Sequence, residues 1–340
     1  MEALFELQTI EIRLMLMMKF RQILPVLLVA LLAAILMSAR KADRVVVAYV
    51  TSWTAVEPDP QAMTHINYAF GVVNDSCNGI NINNAQRLRQ IAGLKSQNPQ
   101  LKVLLSIGGW GAGGFSEMAA DPQKRAAFAA DCRRIVDKYG LDGVDIDWEY
   151  PTSSAAGISS SPDDTQNYTL LMRDIRSALG ADRLLTLASV ASAAFIDFPA
   201  IMPYVDFVNI MAYDMATAPL HHSPLYPSEH SGSLTTDKAV TLHLNAGIPA
   251  EKLVMGVPFY GRGGKAYPDF QDYSKVANHP DTLLDLWDDQ AKVPYLATRD
   301  SVLVFGYENP RSIEIKCRYA IHRGLRGIMY WDYSADTPDG

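Results

Sequence analysis

Eight short apolar runs, separated by helical segments, constrain the fold of this chain more than any other feature. They begin near Val45, Thr64, Lys102, Gly143, Leu184, Val205, Leu253 and Gly327. Each run is hydrophobic throughout, as are parallel strands that helices cover on both faces. Eight parallel strands close naturally into a barrel. The pattern predicts an α/β protein with a (β/α)8 barrel of the TIM type, whose usual size of about 250 residues fits within 340 residues.

Helix signals fall between the predicted strands. Asp121–Pro122 forms a cap and first-turn pair, and it predicts a helix that ends at Gly140. Asn309–Pro310 repeats this opening, and its predicted helix ends at Gly324. Residues 236–247 predict another helix of the same kind.

Two regions depart from the regular alternation. Residues 263–305 follow the seventh strand and contain a hairpin pattern, so we expect a short α+β insertion subdomain beside the barrel mouth. The catalytic barrel is then expected to occupy residues 44–262 and 306–340. The sequence stops at Gly340, a few residues after the eighth strand, so we expect the last covering helix to be missing.

Residues 1–39 are predicted to be an N-terminal extension followed by a signal peptide, at about residues 18–39. Basic residues precede the apolar run Ile23–Met37, and small residues follow it, which is the order typical of a secretory signal. An uncleaved anchor is the alternative, although the run is shorter than the roughly 20 residues of a membrane span. We expect a secreted or periplasmic protein with no stable membrane association after cleavage.

Charge and cysteine usage exclude several classes of function. The formal net charge is −7 and no long basic run occurs, so no nucleic-acid partner is expected. Cys77, Cys132 and Cys317 form no CxxC pair, which indicates buried thiols rather than a disulfide framework or a zinc site. His221 and His222 lie in a polar stretch without cysteine or acidic ligands at metal spacing. No metal or cofactor is predicted, and we expect a monomer.

The segment LDGVDIDWEY, residues 141–150, carries the strongest chemical signal. Side chains alternate along a strand, so Asp145, Asp147 and Glu149 share one face, which we place inside the barrel. Three buried like charges spaced about 7 Å apart repel, so these groups must share protons. That sharing raises the proton affinity of at least one carboxyl group, as a general acid near neutral pH requires. Glu149 lies nearest the C-terminal end of the strand, where barrel active sites lie, and is our predicted acid.

Two other interpretations of these acids stay open. The carboxylates could hold calcium or magnesium, although one strand presents them in a row rather than around an ion. Alternatively, a mechanism in which a second enzyme carboxylate serves as nucleophile or base would need that acid from another strand, and Asp214 is the best placed candidate.

The same segment resembles the signature of the family 18 glycoside hydrolases, the chitinases and their relatives. DGVDIDWE matches the family pattern DxxDxDxE at all four acidic positions. Further matches follow in the family's order: SIGGW at 106–110, MAYD at 211–214, GVPFYGR at 256–262 and YWD at 330–332. The resemblance covers nearly everything from Val45 onward and implies hydrolysis of bonds between N-acetylglucosamine units.

The resemblance also implies a mechanism in which the substrate supplies the nucleophile. Glu149 would protonate the glycosidic oxygen while the acetamide of the substrate attacks the anomeric carbon to give an oxazolinium ion. Asp147 would hold the acetamide nitrogen, and Asp145 would exchange a proton with Asp147. Tyr213 would donate a hydrogen bond to the acetamide oxygen, although it could instead be a core aromatic residue.

Aromatic and polar residues at the strand ends are the predicted substrate contacts. Trp331 would form the floor beneath the cleaved sugar and Trp110 would stack on the leaving side, although either could be a core residue. The other predicted binding residues are Tyr49, Phe70, Gly109, Met211, Asp214 and Arg262. Arg262 could equally pair with a carboxylate, and Gly109 could serve only its turn.

We therefore expect a retaining, endo-acting chitinase that cleaves β-1,4 linkages of chitin or chitooligosaccharides. The short insertion implies one low cleft wall, which favours internal cleavage. One alternative is an endo-β-N-acetylglucosaminidase that acts on N-glycans; such family members often lack the floor tryptophan and the insertion. Another is a non-catalytic chitin-binding lectin, although the family's lectins usually lack the acid matching Glu149.

Overall fold

The computed structural model describes residues 44–265 and 267–338, and this part contains a closed barrel of eight parallel strands. The strands are β1 (Val45–Thr51), β2 (His65–Val73), β4 (Lys102–Gly108), β5 (Gly143–Asp147), β6 (Leu184–Val190), β7 (Phe207–Met211), β8 (Leu253–Pro258) and β14 (Gly327–Trp331). Closure occurs where β1 pairs with both β2 and β14. The predicted TIM barrel is confirmed. A short strand, β3 (Ile80–Ile82), adds antiparallel to the far end of β2.

Helices cover the outside of the barrel. They are α1 (Ala85–Gly93), α2 (Phe115–Ala120), α3 (Pro122–Tyr139), α4 (Asp164–Leu179), α5 (Phe198–Ile201), α6 (Thr236–Asn245) and α8 (Pro310–His322), while α7 (Tyr273–Val276) belongs to the second sheet region. The predicted caps are present. The Asp121 side chain accepts hydrogen bonds from two backbone N–H groups of α3, and Asn309 forms a reciprocal capping box with Ser312.

A second, antiparallel sheet follows barrel strand β8. It contains β9 (Tyr260–Gly263), β10 (Gln271–Asp272), β11 (Leu284–Asp288), β12 (Val293–Ala297) and β13 (Leu303–Gly306) in the order β10-β9-β13-β12-β11. The expected hairpin is formed by β11 and β12. The sheet begins at Tyr260, before the insertion boundary predicted at residue 263. Its first strand, β9, follows barrel strand β8 almost without a loop, because β8 ends at Pro258.

The alternation of β5 positions the acidic residues. Its outward side chains, Val144 and Ile146, join the large apolar layer between strands and helices. Trp148 extends that layer, with its ring stacked on Phe115 of α2 at 5.3 Å. The opposite face of the strand therefore points into the barrel, as the two-residue period predicts.

A buried ion pair connects α8 to the loops at the barrel mouth. The Lys316 ammonium group is fully buried and forms a short hydrogen bond with the carboxylate of Glu308. It also donates to the Ser223 hydroxyl at 2.7 Å. Burial lowers the pKa of Lys316, whereas the neighbouring Glu308 charge opposes that change. The buried Lys316 ammonium group thus links α8 to Glu308 and to the segment that contains Ser223.

The ends of the chain are described only in part. The predicted leader, residues 1–39, lies outside the described residues. A 3-10 turn, Tyr333–Ala335, follows β14, and the description ends at Pro338, so the expectation about a last helix stays a prediction. Among residues 44–265 and 267–338, no helix combines the length and the apolar character needed to cross a bilayer.

Candidate active site

Asp145 is the innermost carboxylate and receives four hydrogen bonds. Tyr49 and Ser106 donate to Oδ2, each at 2.9 Å. Thr186 donates to Oδ1 at 2.5 Å and Asn209 donates to the same atom at 3.2 Å. Burial raises the pKa of Asp145, and these four bonds oppose that rise. Because all four donors are neutral and favour the anion, we assign the negative charge of the inner pair to Asp145.

Asp147 has the opposite environment. It is buried, and its Oδ1 atom has no hydrogen-bond partner. Burial raises the pKa of Asp147 well above its ordinary value, and the adjacent Glu149 and Asp145 charges raise it further. A carboxyl group without donors and beside an anion retains its proton, so Asp147 is the protonated member of the row. The buried Oδ1 atom therefore has the capacity for one further hydrogen bond that no protein group uses.

Glu149 lies two residues beyond the end of β5 and is only half-buried, at the C-terminal end of the barrel. Burial raises its pKa to about 7, although a hydrogen bond with the Tyr150 side chain opposes the rise, and the Asp214 charge adds to it. A carboxyl group with this pKa can donate a proton near neutral pH and accept one afterwards. The environment of Glu149 thus suits the acid role that its position predicts.

This raised pKa predicts the alkaline limb of the pH profile. Glu149 donates only when protonated, so kcat/KM should be highest well below pH 7, fall to half at about pH 7 and then approach a tenfold loss per pH unit. The profile should be measured on a soluble chitooligosaccharide, with circular dichroism at each pH to show that the fold persists. A plateau that continues to pH 9 would contradict the assignment.

Aromatic rings form the floor beside these acids. Trp331 stacks on Phe70 with ring centroids 5.5 Å apart, and the Tyr49 ring lies 5.6 Å from Trp331. Trp53 approaches both Phe70 and Trp331 at 6.3 Å and is 63% exposed. The predicted residues Trp331, Phe70 and Tyr49 therefore lie together. The sequence analysis does not predict Trp53 as part of the floor. Its position two residues after the end of β1 nevertheless indicates a residue at the barrel mouth.

A second aromatic group lies beside Glu149. Trp110 is 65% exposed and meets the Tyr150 ring edge-on at 6.4 Å, so it is a surface residue rather than a core residue. Tyr150 stacks on Phe195 at 5.5 Å. Neither Tyr150 nor Phe195 was predicted. Phe195 comes from the loop after β6, and nothing in its local sequence indicates the contact.

The end of β7 contributes Met211, Tyr213 and Asp214. Met211 is half-buried against the inner aromatic cluster, and the Tyr213 hydroxyl lies 3.9 Å from the sulfur of Met329. Asp214 accepts hydrogen bonds from Tyr260 at 2.7 Å and from Arg262 at 2.6 Å. Despite partial burial, hydrogen bonds keep the pKa of Asp214 below its ordinary value. Asp214 is therefore a charged group that two protein donors already hold.

Arg262 pairs with carboxylates, which was one of its two predicted roles. Besides Asp214, its guanidinium group binds Asp269 through two bonds of 2.7 and 2.9 Å. The same group lies 3.8 Å above the centre of the Phe270 ring. Arg262 is thus fixed by three neighbours at the rim of the site.

His221 and His222 have acidic neighbours that their sequence spacing does not indicate. Both side chains are buried, and both have acidic neighbours: His221 Nε2 lies 3.0 Å from Asp288, and His222 Nδ1 lies 3.7 Å from Asp214. Asp288 lies 67 positions away in sequence, so spacing could not indicate it. Burial lowers the pKa of His221 to about 4. Among the described residues, no group of His, Cys, Asp and Glu is arranged to hold a metal ion.

Gly109 lies directly beside the ring of Phe70, which is part of the aromatic floor. Its φ is +96°, and a Cβ atom there would lie 2.8 Å from a Phe70 ring carbon. Gly109→Ala should displace Phe70 from Trp331 and strain the backbone, so we expect kcat/KM to fall about tenfold with a loss of about 1–3 kcal/mol in stability. Steady-state kinetics and denaturant unfolding would measure both.

Gly93→Ala is the matched control for this substitution. Gly93 ends α1 with a helical φ of −63°, and a Cβ atom there would meet nothing within 4 Å. It should leave both quantities unchanged or slightly raise stability. Equal behaviour of the two variants would show that the floor tolerates a methyl group.

A row of carboxyl groups flanked by aromatic rings, at the C-terminal end of a (β/α)8 barrel, defines the active site of a glycoside hydrolase. The family model described as Glycosyl hydrolases family 18 matches residues 45–336, and the chain belongs to this family. The predicted family resemblance is thereby confirmed.

Relatives are similar over nearly the whole described region. Chitinase A1 of Niallia circulans is 32% identical, with 86% of this chain and 56% of that protein aligned, so the chain spans just over half of that relative. Chitotriosidase-1 of Mus musculus is 30% identical over 86% of this chain and 74% of its own length. A solved structure of a family 18 N-acetylglucosaminidase from Paenibacillus barengoltzii is 36% identical in sequence and superposes with a TM-score of 0.79. The alignment covers 86% of this chain and 96% of the Paenibacillus chain.

Proposed function

We propose that the protein hydrolyses β-1,4 linkages between N-acetylglucosamine units of chitin and chitooligosaccharides, with retention of configuration. The observation that carries this proposal is the state of Asp147: a buried carboxyl group with a raised pKa and an unpartnered oxygen, next to Glu149. Such an oxygen can accept a hydrogen bond from the N–H group of a substrate acetamide. The names of chitinases among the relatives support chitin as the substrate class.

The first step breaks the bond between the anomeric carbon and the glycosidic oxygen. Glu149 transfers its proton to the leaving oxygen while the acetamide oxygen bonds to the anomeric carbon, giving an oxazolinium ion. The positive charge of this ion develops above the acids, where the anionic Asp145 and the polar Asp147 stabilise it. Tyr213 belongs to the inner apolar cluster that contains Tyr49 and Phe70. Its phenol hydroxyl can donate a hydrogen bond to the acetamide oxygen.

The second step restores the enzyme. The Glu149 carboxylate accepts a proton from water, the water oxygen bonds to the anomeric carbon, and the oxazolinium ring opens to regenerate the acetamide. Two inversions at the anomeric carbon give a β product from a β linkage. Glu149 is protonated again at the end of this step, as it was before the first one.

Asp214 does not suit the competing two-carboxylate mechanism. Its oxygens accept bonds from Tyr260 and Arg262, and these bonds lower its pKa and its basicity. To act as a nucleophile or base, Asp214 would first have to break its ion pair with Arg262. We therefore propose that Asp214 orients sugar hydroxyl groups instead.

We further propose internal cleavage of the chain. The second sheet spans only residues 260–306, and aromatic rings lie both at the Trp331 floor and at Trp110, so a bound chain can extend from the cleaved bond in both directions. A second candidate is release of single N-acetylglucosamine units. The 36% identity to the Paenibacillus barengoltzii N-acetylglucosaminidase supports it.

One experiment separates these activities. The purified protein is incubated with chitohexaose, and separately with an N-glycosylated protein, and products are followed by chromatography and NMR from the first minutes. Early mixtures of dimer, trimer and tetramer with β configuration support internal cleavage, whereas monomer alone supports the second candidate. Glycan release alone would indicate the endo-β-N-acetylglucosaminidase, and binding without product would indicate a lectin.

We also propose that the mature protein acts outside the cytoplasm as a monomer. The order of basic, apolar and small residues across residues 18–39 supports export. Mass spectrometry of the exported protein would locate the cleavage site, and light scattering would give its mass in solution.

A further inference from the structure

Asp164 is a fully buried carboxylate at the beginning of α4. Its side chain accepts three hydrogen bonds. The Ser116 hydroxyl of α2 donates to Oδ1 at 2.7 Å. The backbone N–H groups of Thr152 and Ser161 donate to Oδ2 at 3.2 and 2.7 Å. The N-terminal end of a helix also favours a negative charge. One carboxylate therefore joins α2, α4 and the loop between β5 and α4.

The loop that Asp164 holds is the loop that carries Glu149. Directly after Glu149, Tyr150 begins a tight turn in which the Ser153 N–H group donates to the Tyr150 carbonyl at 3.2 Å. Thr152 lies within this turn at a φ of +60°, a region that residues other than glycine keep mainly where their surroundings impose it. The bond from the Thr152 N–H group to Asp164 supplies such a constraint. The backbone is therefore fixed three residues after the proton donor.

The side chain of Tyr150 is held by the same helix. Its ring stacks on Phe195 at 5.5 Å with an interplanar angle of 13°. The Phe195 carbonyl accepts a hydrogen bond of 2.8 Å from the hydroxyl of Thr165, in the first turn of α4. The Tyr150 side chain in turn forms a hydrogen bond with Glu149. The first turn of α4 thus reaches the proton donor by a second route.

The residue before Glu149 is fixed through α2. The Trp148 ring stacks on Phe115 at 5.3 Å, and the next residue of α2, Ser116, donates to Asp164. Glu149 therefore lies between two aromatic residues that are both held in place. Its own carboxyl group has to stay free to reach the substrate, so its position depends on contacts that its neighbours make. Asp164 bonds to both of the segments that make them.

We propose that Asp164 is a positioning residue for the reaction: its three hydrogen bonds keep the loop that carries Glu149 in its half-buried place at the barrel mouth. This inference rests on the proposed hydrolysis of chitooligosaccharides by Glu149. Asp164 acts through its neighbours rather than on the substrate. Because burial raises the pKa of Glu149 to about 7, a loosened loop should also change how this carboxyl group titrates.

The test is the effect of Asp164→Ala on turnover and on the titration of Glu149. We expect kcat on chitohexaose to fall about ten- to hundredfold while KM changes by less than about threefold, because the acid is displaced from its productive position. Greater exposure of Glu149 should move the alkaline midpoint of kcat/KM downward from about pH 7 by about half a unit to one unit.

An NMR titration of 13C-labelled glutamate side chains should show the same downward shift without any hydrolysis, with Glu149→Gln to assign the signal. Asp164→Ala changes none of the ionisable groups that face Glu149. These groups are Asp147, Tyr150, Tyr213 and Asp214.

Two variants are the controls. Asp164→Asn keeps an oxygen for both backbone N–H groups and an amide that can donate to the Ser116 hydroxyl, so it should retain kcat to within about threefold and keep the parent midpoint. Asp163→Ala alters the exposed neighbouring residue, whose side chain makes no capping bond to the helix. It should leave kcat and the midpoint unchanged.

A folded Asp164→Ala enzyme that loses stability yet keeps the parent kcat and midpoint would overturn the inference and show a purely structural role. If circular dichroism shows that this variant does not fold, Thr165→Val decides, because it removes only the donor to Phe195. It should give the same changes at a smaller size, and parent values in it would overturn the inference. A parent enzyme in which Glu149 titrates as expected but which hydrolyses no chitooligosaccharide would overturn the proposed function instead.

Discussion

Glu149→Gln should lower kcat on chitotetraose by about a thousandfold or more while Kd changes by less than about threefold. The amide keeps the shape of the side chain but can neither give its proton to the glycosidic oxygen nor activate water. Both steps of the proposed mechanism pass through this group, so no other described residue compensates. Single-turnover kinetics and isothermal titration would measure the two quantities separately.

Glu314→Gln is the matched control, since Glu314 has a side chain 63% exposed on α8 and pairs with the exposed Arg318 on the same helix. It should retain full activity. Retained turnover in Glu149→Gln would show that the proton donor has been assigned to the wrong residue.

Lys316→Met should lower the free energy of unfolding by about 3–5 kcal/mol, the largest effect on stability that we expect. The substitution preserves most of the buried volume but leaves the Glu308 carboxylate, only 4% exposed, without its cation. It also removes the donor to the Ser223 hydroxyl. Urea denaturation monitored by tryptophan fluorescence would measure the loss.

Two further variants give the prediction its controls. Lys316→Met combined with Glu308→Leu removes both charges and should recover most of the loss, because no uncompensated charge remains. Arg318→Met breaks the exposed pair with Glu314 on the same helix and should change stability by less than about 1 kcal/mol. Similar losses in Lys316→Met and Arg318→Met would contradict the importance of burial.

The sequence predicted the barrel because its signals are local and repeated. Each parallel strand is a continuous apolar run, and helices begin at short capping motifs such as Asp121–Pro122 and Asn309–Pro310. The inward direction of Asp145 and Asp147 follows from strand alternation alone. These features depend on neighbours within a few positions, so they can be read without tertiary contacts.

The contacts between segments could not be predicted in the same way. His222 and Arg262 both approach Asp214, yet each comes from a different loop or strand. The stacking of Phe195 on Tyr150 brings together the loops after β6 and β5. Nor does the sequence indicate the cis peptide bonds between non-proline residues, such as Glu149–Tyr150. Such details depend on how the strand ends and loops meet in space.

The four donors to Asp145 come from four strands: Tyr49 on β1, Ser106 on β4, Thr186 on β6 and Asn209 on β7. Slipping any one of these strands by a single residue would turn its donor to the outer face. The buried anion would then lose one of its four donors, which raises the free energy of a barrel in which one of these strands is shifted. The innermost carboxylate thus favours the native alignment of four barrel strands over any shifted one, in addition to its place in the active site.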